Sequence, residues 1–141
     1  MTIRAGFSLL LLSLLAAGCG WPGSTAATPI EGNILYDGRP LDFGTISFEN
    51  TNGSGTFYEA PIQNGRYLVV IPSKAIKGEM TVKVKATYRT GRRIQVPIGD
   101  NPNATVDELM ALPARFNSQS ILRFRPKPGE MNRHDLDLKS K

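Results

Sequence analysis

The sequence has one cysteine, one histidine and one tryptophan among its 141 residues. A single cysteine excludes an intramolecular disulfide, and one cysteine with one histidine cannot supply the usual zinc ligand set. A serine–histidine–acid triad would have to use His134, and no serine lies in the strand–turn–helix elbow that such a nucleophile requires. The carboxylates show no evident catalytic pair. We therefore expect no enzyme, and no catalytic, cofactor-binding or metal-binding residue.

A long apolar run is also missing. The stretch at residues 5–17 is apolar and follows the positive charge of Arg4, but a membrane-spanning helix needs about 20 apolar residues. Its length is that of a signal peptide. Small residues then lead to the lone Cys19, a pattern that resembles the lipobox of bacterial lipoproteins. We predict cleavage after Gly18 and acylation of Cys19. An ordinary secretory leader cut at Ala17 or Gly18, or a buried free thiol, remain as alternatives.

The predicted leader determines both the division of the chain into segments and the expected localisation of the protein. Residues 1–18 are the predicted lipoprotein signal peptide, residues 19–29 the lipidated cysteine with a flexible tether, and residues 30–141 one β domain. The protein is expected to be exported and membrane-anchored through its N-terminal lipid, on the periplasmic or outer face of the cell envelope. Gly20 stands where an aspartate would mark inner-membrane retention, which favours the outer membrane if the cell has one.

Charge of one sign is not concentrated anywhere. The formal net charge is +5, from 17 basic and 12 acidic residues, and no basic run exceeds Arg92-Arg93. Nucleic-acid binding normally needs a basic patch or stripe. We expect no nucleic-acid partner and interpret the excess as solubility, with some attraction to an anionic membrane or wall.

What the chain does contain is apolar residues at a period of two. Short runs of this kind between Gly, Asn, Asp and Pro residues are typical of β-strands with one buried face. They occur at residues 30–36, 45–49, 58–62, 67–71, 80–88, 121–125 and 136–138, with a further short strand possible at 94–98. About seven strands with turn residues between them and almost no helix predict an all-β fold, an antiparallel β-sandwich.

Asn64-Gly65 is the strongest turn signal, because a type I′ hairpin needs positive φ at both central residues. A two-residue loop there pairs Gln63 with Arg66. The same register sets three apolar pairs on one face, at residues 62 and 67, 60 and 69, and 58 and 71. Leu68 and Val70 make the other face of that strand apolar too, so we expect it to be covered on both sides.

The end of the chain predicts a second hairpin. Pairing residues 122 and 124 with residues 138 and 136 places four apolar side chains on one face. In that register Arg123 lies opposite Asp137 and Arg125 opposite Asp135, so each basic residue meets an acid. His134 has the parity of the apolar residues and is expected at the inner edge of the last strand, in a structural role.

The connection at residues 89–111 is long and less regular. Thr105 and Glu108 have capping-box spacing, which predicts a helical turn or two with Leu109, Met110 and Leu112 packed inward. Five oxygen-bearing side chains in this region could gather around calcium, although their spacing matches no calcium loop known to us: Asp100, Asn101, Asn103, Asp107 and Glu108.

Three stretches carry a family resemblance: residues 30–41 (IEGNILYDGRPL) with 44–48 (GTISF), residues 64–67 (NGRY) and residues 112–117 (LPARFN). In this order they resemble the transthyretin-like, or carboxypeptidase regulatory-like, domain of small bacterial envelope lipoproteins. The resemblance implies a seven-stranded Greek-key sandwich used for stability, adhesion or binding, with no catalytic residues to carry over. The usual version lacks so long a connection at 89–111, which is where this chain's own function is expected.

Two functions remain open. The first is a lipid-anchored, non-enzymatic envelope module for binding, adhesion or structural support, with an envelope protein or polysaccharide as its partner. The second is a carbohydrate-binding accessory lipoprotein that uses Phe57, Tyr58 or Tyr88 as stacking platforms. Strand parity places Tyr58 and Tyr88 on the inner face, which counts against the second.

Overall fold

The computed structural model describes residues 26–53 and 55–141. The predicted signal peptide, Gly18, the acylation site Cys19 and most of the tether lie outside the described residues. The described part forms ten strands and two short 3₁₀ turns, and none of its helices is long and apolar enough to cross a membrane. The strands are β1 (Ala27–Tyr36), β2 (Arg39–Pro40), β3 (Phe43–Asn50), β4 (Phe57–Gln63), β5 (Arg66–Pro72), β6 (Met80–Gln95), β7 (Thr105–Ala111), β8 (Arg123–Phe124), β9 (Asn132–Arg133) and β10 (Leu136–Leu138).

The strands form a curled, mostly antiparallel sheet in the order β10-β1-β5-β4-β3-β6-β7. The all-β prediction is confirmed. Only β9 and β10 run parallel to their neighbour, β1. β1 begins at Ala27, which pairs with Pro72. Residues 27–29 therefore belong to the sheet, whereas the sequence predicted that they belong to the tether. Sequence pattern missed them because alanine and proline are weak strand formers, whereas Thr28 is buried and its hydroxyl meets that of Ser73 at 2.8 Å.

The core is one cluster of alternate residues from the long strands. In β1 every second residue from Thr28 to Tyr36 is buried, because successive side chains of a strand point to opposite faces. The fully buried large side chains are Ile30, Ile34, Leu41, Ile46, Phe48, Ile62, Ile71, Met80, Val82 and Val84. Gly32 lies in this row because a Cβ atom there would come within 1.9 Å of the His134 carbonyl oxygen.

The Asn64-Gly65 turn is confirmed, with φ of 51° and 73° at its two residues and Gln63 paired with Arg66. Beyond that single pair the strands part, since β4 continues along β3 and β5 along β1. The expected cross-strand pairs at 62/67, 60/69 and 58/71 are therefore wrong, although five of these six residues are buried as predicted and Tyr58 is half-buried.

β5 is covered on one side only. Leu68 and Val70 are 55% and 53% exposed, which corrects the expectation that this strand is covered on both sides. Their side chains share the outer face of the β1–β5 pair, and apolar residues on both faces of a strand do not by themselves supply a second covering layer.

The predicted C-terminal hairpin is wrong. β8 pairs with the start of β6, with Phe124 opposite Met80, and β10 pairs in parallel with β1. Arg123 donates to the carbonyl oxygens of Ser120 and Leu122 and does not face Asp137, which forms an ion pair with Lys139 at 2.8 Å. The predicted inner positions are correct: residues 136 and 138 are buried, and residues 122 and 124 pack against the core.

The long connection is a two-stranded arm, not a helix. β6 runs on to Gln95 and pairs with β7 on both sides of a bulge between Arg89 and Arg93. We call residues 89–111 the arm. Thr105 and Val106 are β-branched and favour a strand, and Glu108 bonds across the arm instead of capping a helix. Leu112 is buried as predicted, but Leu109 and Met110 are exposed.

The sheet has two distinct ends. We call the end at which the chain enters the sheet, at the start of β1, the proximal end. β5 ends there too. Asn50, the last residue of β3, lies at the same end, because its side chain donates to the Ala75 carbonyl in the turn after β5. Because Asn50 pairs with Met80, β6 also begins at this end. It runs past Phe43, the first residue of β3, and continues as the arm at the opposite, distal end.

Candidate functional site

A cleft of about 590 Å³ lies at the base of the arm, at the distal end. One wall is the β1–β2 turn and the segment after it, and the other wall is the part of β6 that enters the arm. Asp37-Gly38 turns the chain between β1 and β2 with φ of 48° and 80°, so the aspartate and Arg39 stand at the rim. The lining residues are Tyr36, Asp37, Arg39, Pro40, Leu41, Asp42, Tyr88, Arg89 and Thr90.

The floor of the cleft is aromatic. The rings of Tyr36 and Tyr88 are 4.5 Å apart and tilted by 45°, and Phe116 meets Tyr36 edge-on at 6.5 Å. Burial raises the pKa of Tyr36, and the neighbouring Tyr88 hydroxyl adds to the effect. Tyr36 is buried and Tyr88 half-buried, so the cleft offers one partly open ring above a buried one.

The rim of the cleft is charged. Arg89 lies 3.2 Å from Asp42 and 3.8 Å from Asp107, so it joins the segment after β2 to the arm. Asp37 accepts a hydrogen bond from the Ser140 backbone N–H at 2.9 Å, and this bond holds the pKa of its carboxyl below the ordinary value. Arg39 is exposed, and among the described residues it has no acidic partner within 4.0 Å. The rim can therefore contact an anionic or hydroxyl-rich group.

The arm itself is held by a polar cluster. Glu108 accepts from the Thr90 hydroxyl at 2.6 Å and from both Nε and Nη2 of Arg92, at 2.9 and 3.1 Å to its two oxygens. These bonds hold the pKa of Glu108 below its ordinary value, the Thr90 bond contributing most. Arg93 donates to the Thr105 carbonyl on the opposite strand at 2.9 Å. The hairpin is therefore ordered by its own cross-strand contacts.

The arm nevertheless leaves large apolar side chains in solvent. Ile94, Ile98, Leu109 and Met110 are between 40% and 58% exposed. Met110 lies beside Tyr88, whose hydroxyl is 3.9 Å from its sulfur, and Leu109 lies beside Phe43 and Arg89 in a smaller hollow. Leu109 and Met110 are successive residues of β7, so their side chains lie on opposite faces of the arm. Exposed apolar patches on an ordered surface commonly mark interaction sites.

The five candidate calcium ligands are not brought together. Asp107 lies beside Arg89, Glu108 binds Arg92, and the Asn101 side chain accepts from the Asn103 backbone N–H within the tip turn. Within residues 26–53 and 55–141 no group of three or more His, Cys, Asp or Glu residues has a metal-binding arrangement. The calcium alternative is therefore not supported in this region.

His134 lies where the strand parity places it, facing inward next to β10. Its ring stacks on Phe124 at 4.2 Å, and its backbone carbonyl accepts from the Tyr67 hydroxyl at 2.7 Å. Its Nε2 atom is buried and has no hydrogen-bond partner among the described residues. Burial lowers the pKa of the ring. His134 therefore belongs to the body of the domain and not to the arm.

The aromatic residues of the carbohydrate hypothesis are separated. Tyr58 and Tyr88 are half-buried against the core, as their parity indicates, whereas Phe57 is 58% exposed. Phe57 borders a shallow polar groove on the outer face of β4, β3 and β6, where Lys83 and Glu49 form a 2.6 Å ion pair. Lys85 in the same groove is exposed, in line with a solvated strand face.

The sequence pointed to residues 89–111 but not to the other wall of the cleft. The strand pattern predicts Tyr36 only as a strand residue, and the sequence predicts no functional role for Asp37, Arg39 or Asp42. The turn itself was the available signal, because a two-residue Asp-Gly loop exposes the charged residues beside it. Comparison of the chain with protein-family models, with curated proteins and with solved structures finds no match.

Proposed function

We propose that the protein is a lipid-anchored, non-enzymatic module of the cell envelope that binds an envelope protein through its arm and the cleft beside it. Residues 1–18 act as the signal peptide, and Cys19 carries the lipid on the periplasmic or outer face, in the outer membrane where the cell has one. The partner is an envelope protein or, in the alternative below, a polysaccharide.

The observation that carries the binding role is the exposed apolar surface of an ordered arm. Its backbone is paired at residues 87–89 and 93–95, on either side of the bulge, and the Glu108 cluster fixes its polar side chains. Ile94, Leu109 and Met110 still face solvent. An arm that only closed the fold would gain by burying such residues, since apolar burial contributes about 25 cal/mol per Å².

For the domain as a whole we propose a transthyretin-like Greek-key sandwich. Two features support it: β4 and β5 share only one residue pair, and a single core cluster contains residues from the strands on both sides of that junction. The resemblance of residues 30–48, 64–67 and 112–117 to that family supports it as well. In this interpretation the arm is an addition to the common domain.

Fractionation of Cys19→Ala cells tests the anchor. We expect the variant to leave the membrane fraction, and the parent to carry a mass increase at Cys19 equal to its acyl groups. A Ser24→Ala variant, changed within the same tether, is the control and is expected to behave as the parent does. A Cys19→Ala protein that stays in the membrane fraction contradicts the lipid anchor.

Pull-down of the anchored protein from its own envelope tests the arm. Leu109→Glu places a charge on the exposed apolar surface, and we expect it to lose the partner that the parent retains. Ile121→Glu is the matched control, because Ile121 is equally open to solvent but lies outside the arm. Equal loss by both variants, or by neither, contradicts an arm-specific contact.

The second candidate is the carbohydrate-binding accessory lipoprotein, and the exposed ring of Phe57 beside a polar groove favours it. An aromatic face with flanking polar groups is an arrangement that can stack a sugar ring. Phe57→Ala is then expected to abolish retention on envelope polysaccharide, while Phe43→Ala, another exposed phenylalanine, leaves it unchanged. Equal retention by the parent and Phe57→Ala rejects this candidate.

A further inference from the structure

A second exposed apolar surface lies away from the arm, on the outer face of β1, β5 and β9. Leu68 and Val70 project from β5, alternating with the buried residues Tyr67, Val69 and Ile71. Met131, next to the start of β9, is 63% exposed. Pro29 lies between Val70 and Met131, and Glu31, paired with Arg133 at 4.0 Å, lies beside Leu68. We call the surface formed by Leu68, Val70, Met131 and Pro29 the proximal face.

The chain enters the sheet beside this face. Ala27 pairs with Pro72, and Pro29 lies opposite Val70. On the other side of β1, Ile30 pairs with Asn132, the residue after Met131. The strand that carries the covalent connection to Cys19 therefore runs through the middle of the apolar surface.

The loop between β8 and β9 is hydrogen-bonded to the start of β1. The Gly129 N–H donates to the Thr28 hydroxyl at 2.9 Å, and the Asn132 side chain closes the loop through two bonds to Lys127. Lys127 in this loop and Lys74 in the turn after β5 are both exposed, with Glu130 beside the former. An exposed lysine thus lies in each of the two segments that meet the start of β1.

The distance from the expected lipid is short. Cys19 lies eight residues before Ala27, and an extended chain spans at most about 3.5 Å per residue, so the separation cannot exceed about 28 Å. A surface held so close to a bilayer meets it at a high effective concentration, and a weak contact is then sufficient.

From this placement we infer that the proximal face lies on the bilayer surface, with Leu68, Val70 and Met131 at the level of the headgroups. The inference rests on the proposed anchor at Cys19. Lys74 and Lys127 meet anionic headgroups, and the apolar side chains add a shallow interfacial contact. Because β6 starts at the proximal end and the arm leaves from the distal end, the arm lies at the opposite end of the sheet from the point where the chain enters.

The test uses the full acylated protein in vesicles of phosphatidylethanolamine and phosphatidylglycerol. An acylated Cys19 has no free thiol, so a single introduced cysteine can carry an environment-sensitive fluorophore. Three positions are compared: Val70→Cys on the proximal face, Phe57→Cys at the same end but on the other outer face, and Leu109→Cys on the arm. All three parent side chains are between 53% and 58% exposed.

We expect lipids brominated near the headgroup to quench the label at position 70 several-fold more than those at positions 57 and 109, and aqueous iodide to show the reverse order. Equal quenching at 70 and 57 overturns the inference, because it means that proximity alone brings the domain to the membrane. A label at 70 that is shielded from iodide but not quenched by lipid also overturns it, since a second copy then covers the face.

Two variants separate this inference from the proposed anchor. Val70→Glu in the protein labelled at Leu68→Cys is expected to abolish lipid quenching while the protein still floats with the vesicles. The Leu109→Glu variant is the matched control and should leave the quenching of that label unchanged. If acylated protein floats but no label is quenched, the face is wrong and the anchor stands. If wild-type protein from its own cells carries no lipid at Cys19, the anchor itself has failed.

Discussion

The two halves of β6 are both paired with a neighbouring strand, but their surroundings are opposite. From Met80 to Ala86 every second side chain is buried, and the strand pairs with β3. From Arg89 to Gln95 no side chain is buried, and the strand pairs with β7 alone. One continuous strand thus contributes to the core over its first half and to an exposed surface over its second.

Under the proposed function, this difference separates stability from binding along the chain. The first half buries apolar surface, which dominates the free energy of folding. The second half is held by local contacts such as the Glu108 cluster, which are individually weak when exposed. Substitutions in the body of the domain should therefore change the free energy of unfolding, and those in the arm should change binding. This contrast leads to four predictions, in decreasing order of the expected effect.

The largest contrast is between a core and an arm side chain. Phe48 is completely buried, and Phe48→Ala should lower the free energy of unfolding by about 3–5 kcal/mol. Ile94→Ala in the arm should change it by no more than about 0.5 kcal/mol. Urea titration measures both. A loss at Ile94 comparable with that at Phe48 would mean that the arm packs on the body.

Two glycines give the next contrast. Gly65 and Gly91 both have positive φ, of 73° and 84°, but only Gly65 is crowded, since a Cβ atom there would lie 2.7 Å from the Pro40 Cβ atom. Gly65→Ala should cost about 3 kcal/mol, from about 1–2 kcal/mol of backbone strain and about 1–3 kcal/mol of overpacking.

Gly91→Ala meets no neighbouring atom within 4 Å. It keeps only the backbone term, at most about 1–2 kcal/mol, which the exposed arm can relax locally. Thermal unfolding of the two variants is the measurement. Equal shifts of the midpoint would contradict the separation between body and arm.

Acidification should weaken the body before the arm. Burial lowers the pKa of His134, partly offset by Asp135, so the unfolded state binds its proton first. Stability is then complete above the ordinary pKa of about 6.5 and falls as the pH drops below it. The lowered pKa of Glu108 in the arm acts only in more acidic solution, below the ordinary glutamate value of about 4.3.

The pH dependence is measured by urea unfolding between about pH 7.5 and pH 5, a range above the ordinary carboxylate pKa values of about 4. His134→Phe keeps a ring against Phe124 and removes the titrating group, so it should flatten the curve. Asp37 and Asp135, whose pKa values are also lowered by hydrogen bonds, affect only the acid limb. A slope that persists in His134→Phe assigns it to another group.

The smallest effect is expected at the polar cluster of the arm. Arg92 is largely exposed where it meets Glu108, and exposed pairs contribute about 0–1 kcal/mol. Arg92→Ala should leave the global unfolding free energy within that range and accelerate amide exchange only in residues 89–111. Lys85→Ala on the exposed face of β6 is the control. Faster exchange throughout the sheet would contradict a locally held arm.

Turn chemistry and side-chain alternation were readable from the chain alone. Asn64-Gly65 specifies positive φ at two successive residues, and the structure has them. The alternating residues of β1, β3 and the first half of β6 predicted the buried set, since parity depends only on the geometry of a single strand. Localisation is in the same class, because the signal at Cys19 is linear, and it remains a prediction here.

The partners of the strands were not readable. The charges at Arg123 and Asp137 fitted a hairpin, yet β8 pairs with β6 and β10 with β1. Alternation predicts which face of a strand a residue occupies, but not which strand lies beside it. The choice of neighbouring strand depends on the burial of apolar surface, which outweighs weak charge pairs. The Thr105–Ala111 segment is a second example. Its two capping-box residues contact the opposite strand of the arm, since Thr105 pairs with Gln95 and Glu108 accepts from Thr90.

By itself the sequence determined the class of fold, the buried positions of the core strands and the Asn64-Gly65 turn, because these depend on residues near one another in the chain. Only the tertiary structure decided that residues 89–111 project as an arm, that Tyr36 and Tyr88 meet to floor a cleft, and that Leu68 and Val70 lie uncovered beside the start of β1. Each of these depends on which strands become neighbours, and that is set by the packing of the whole core.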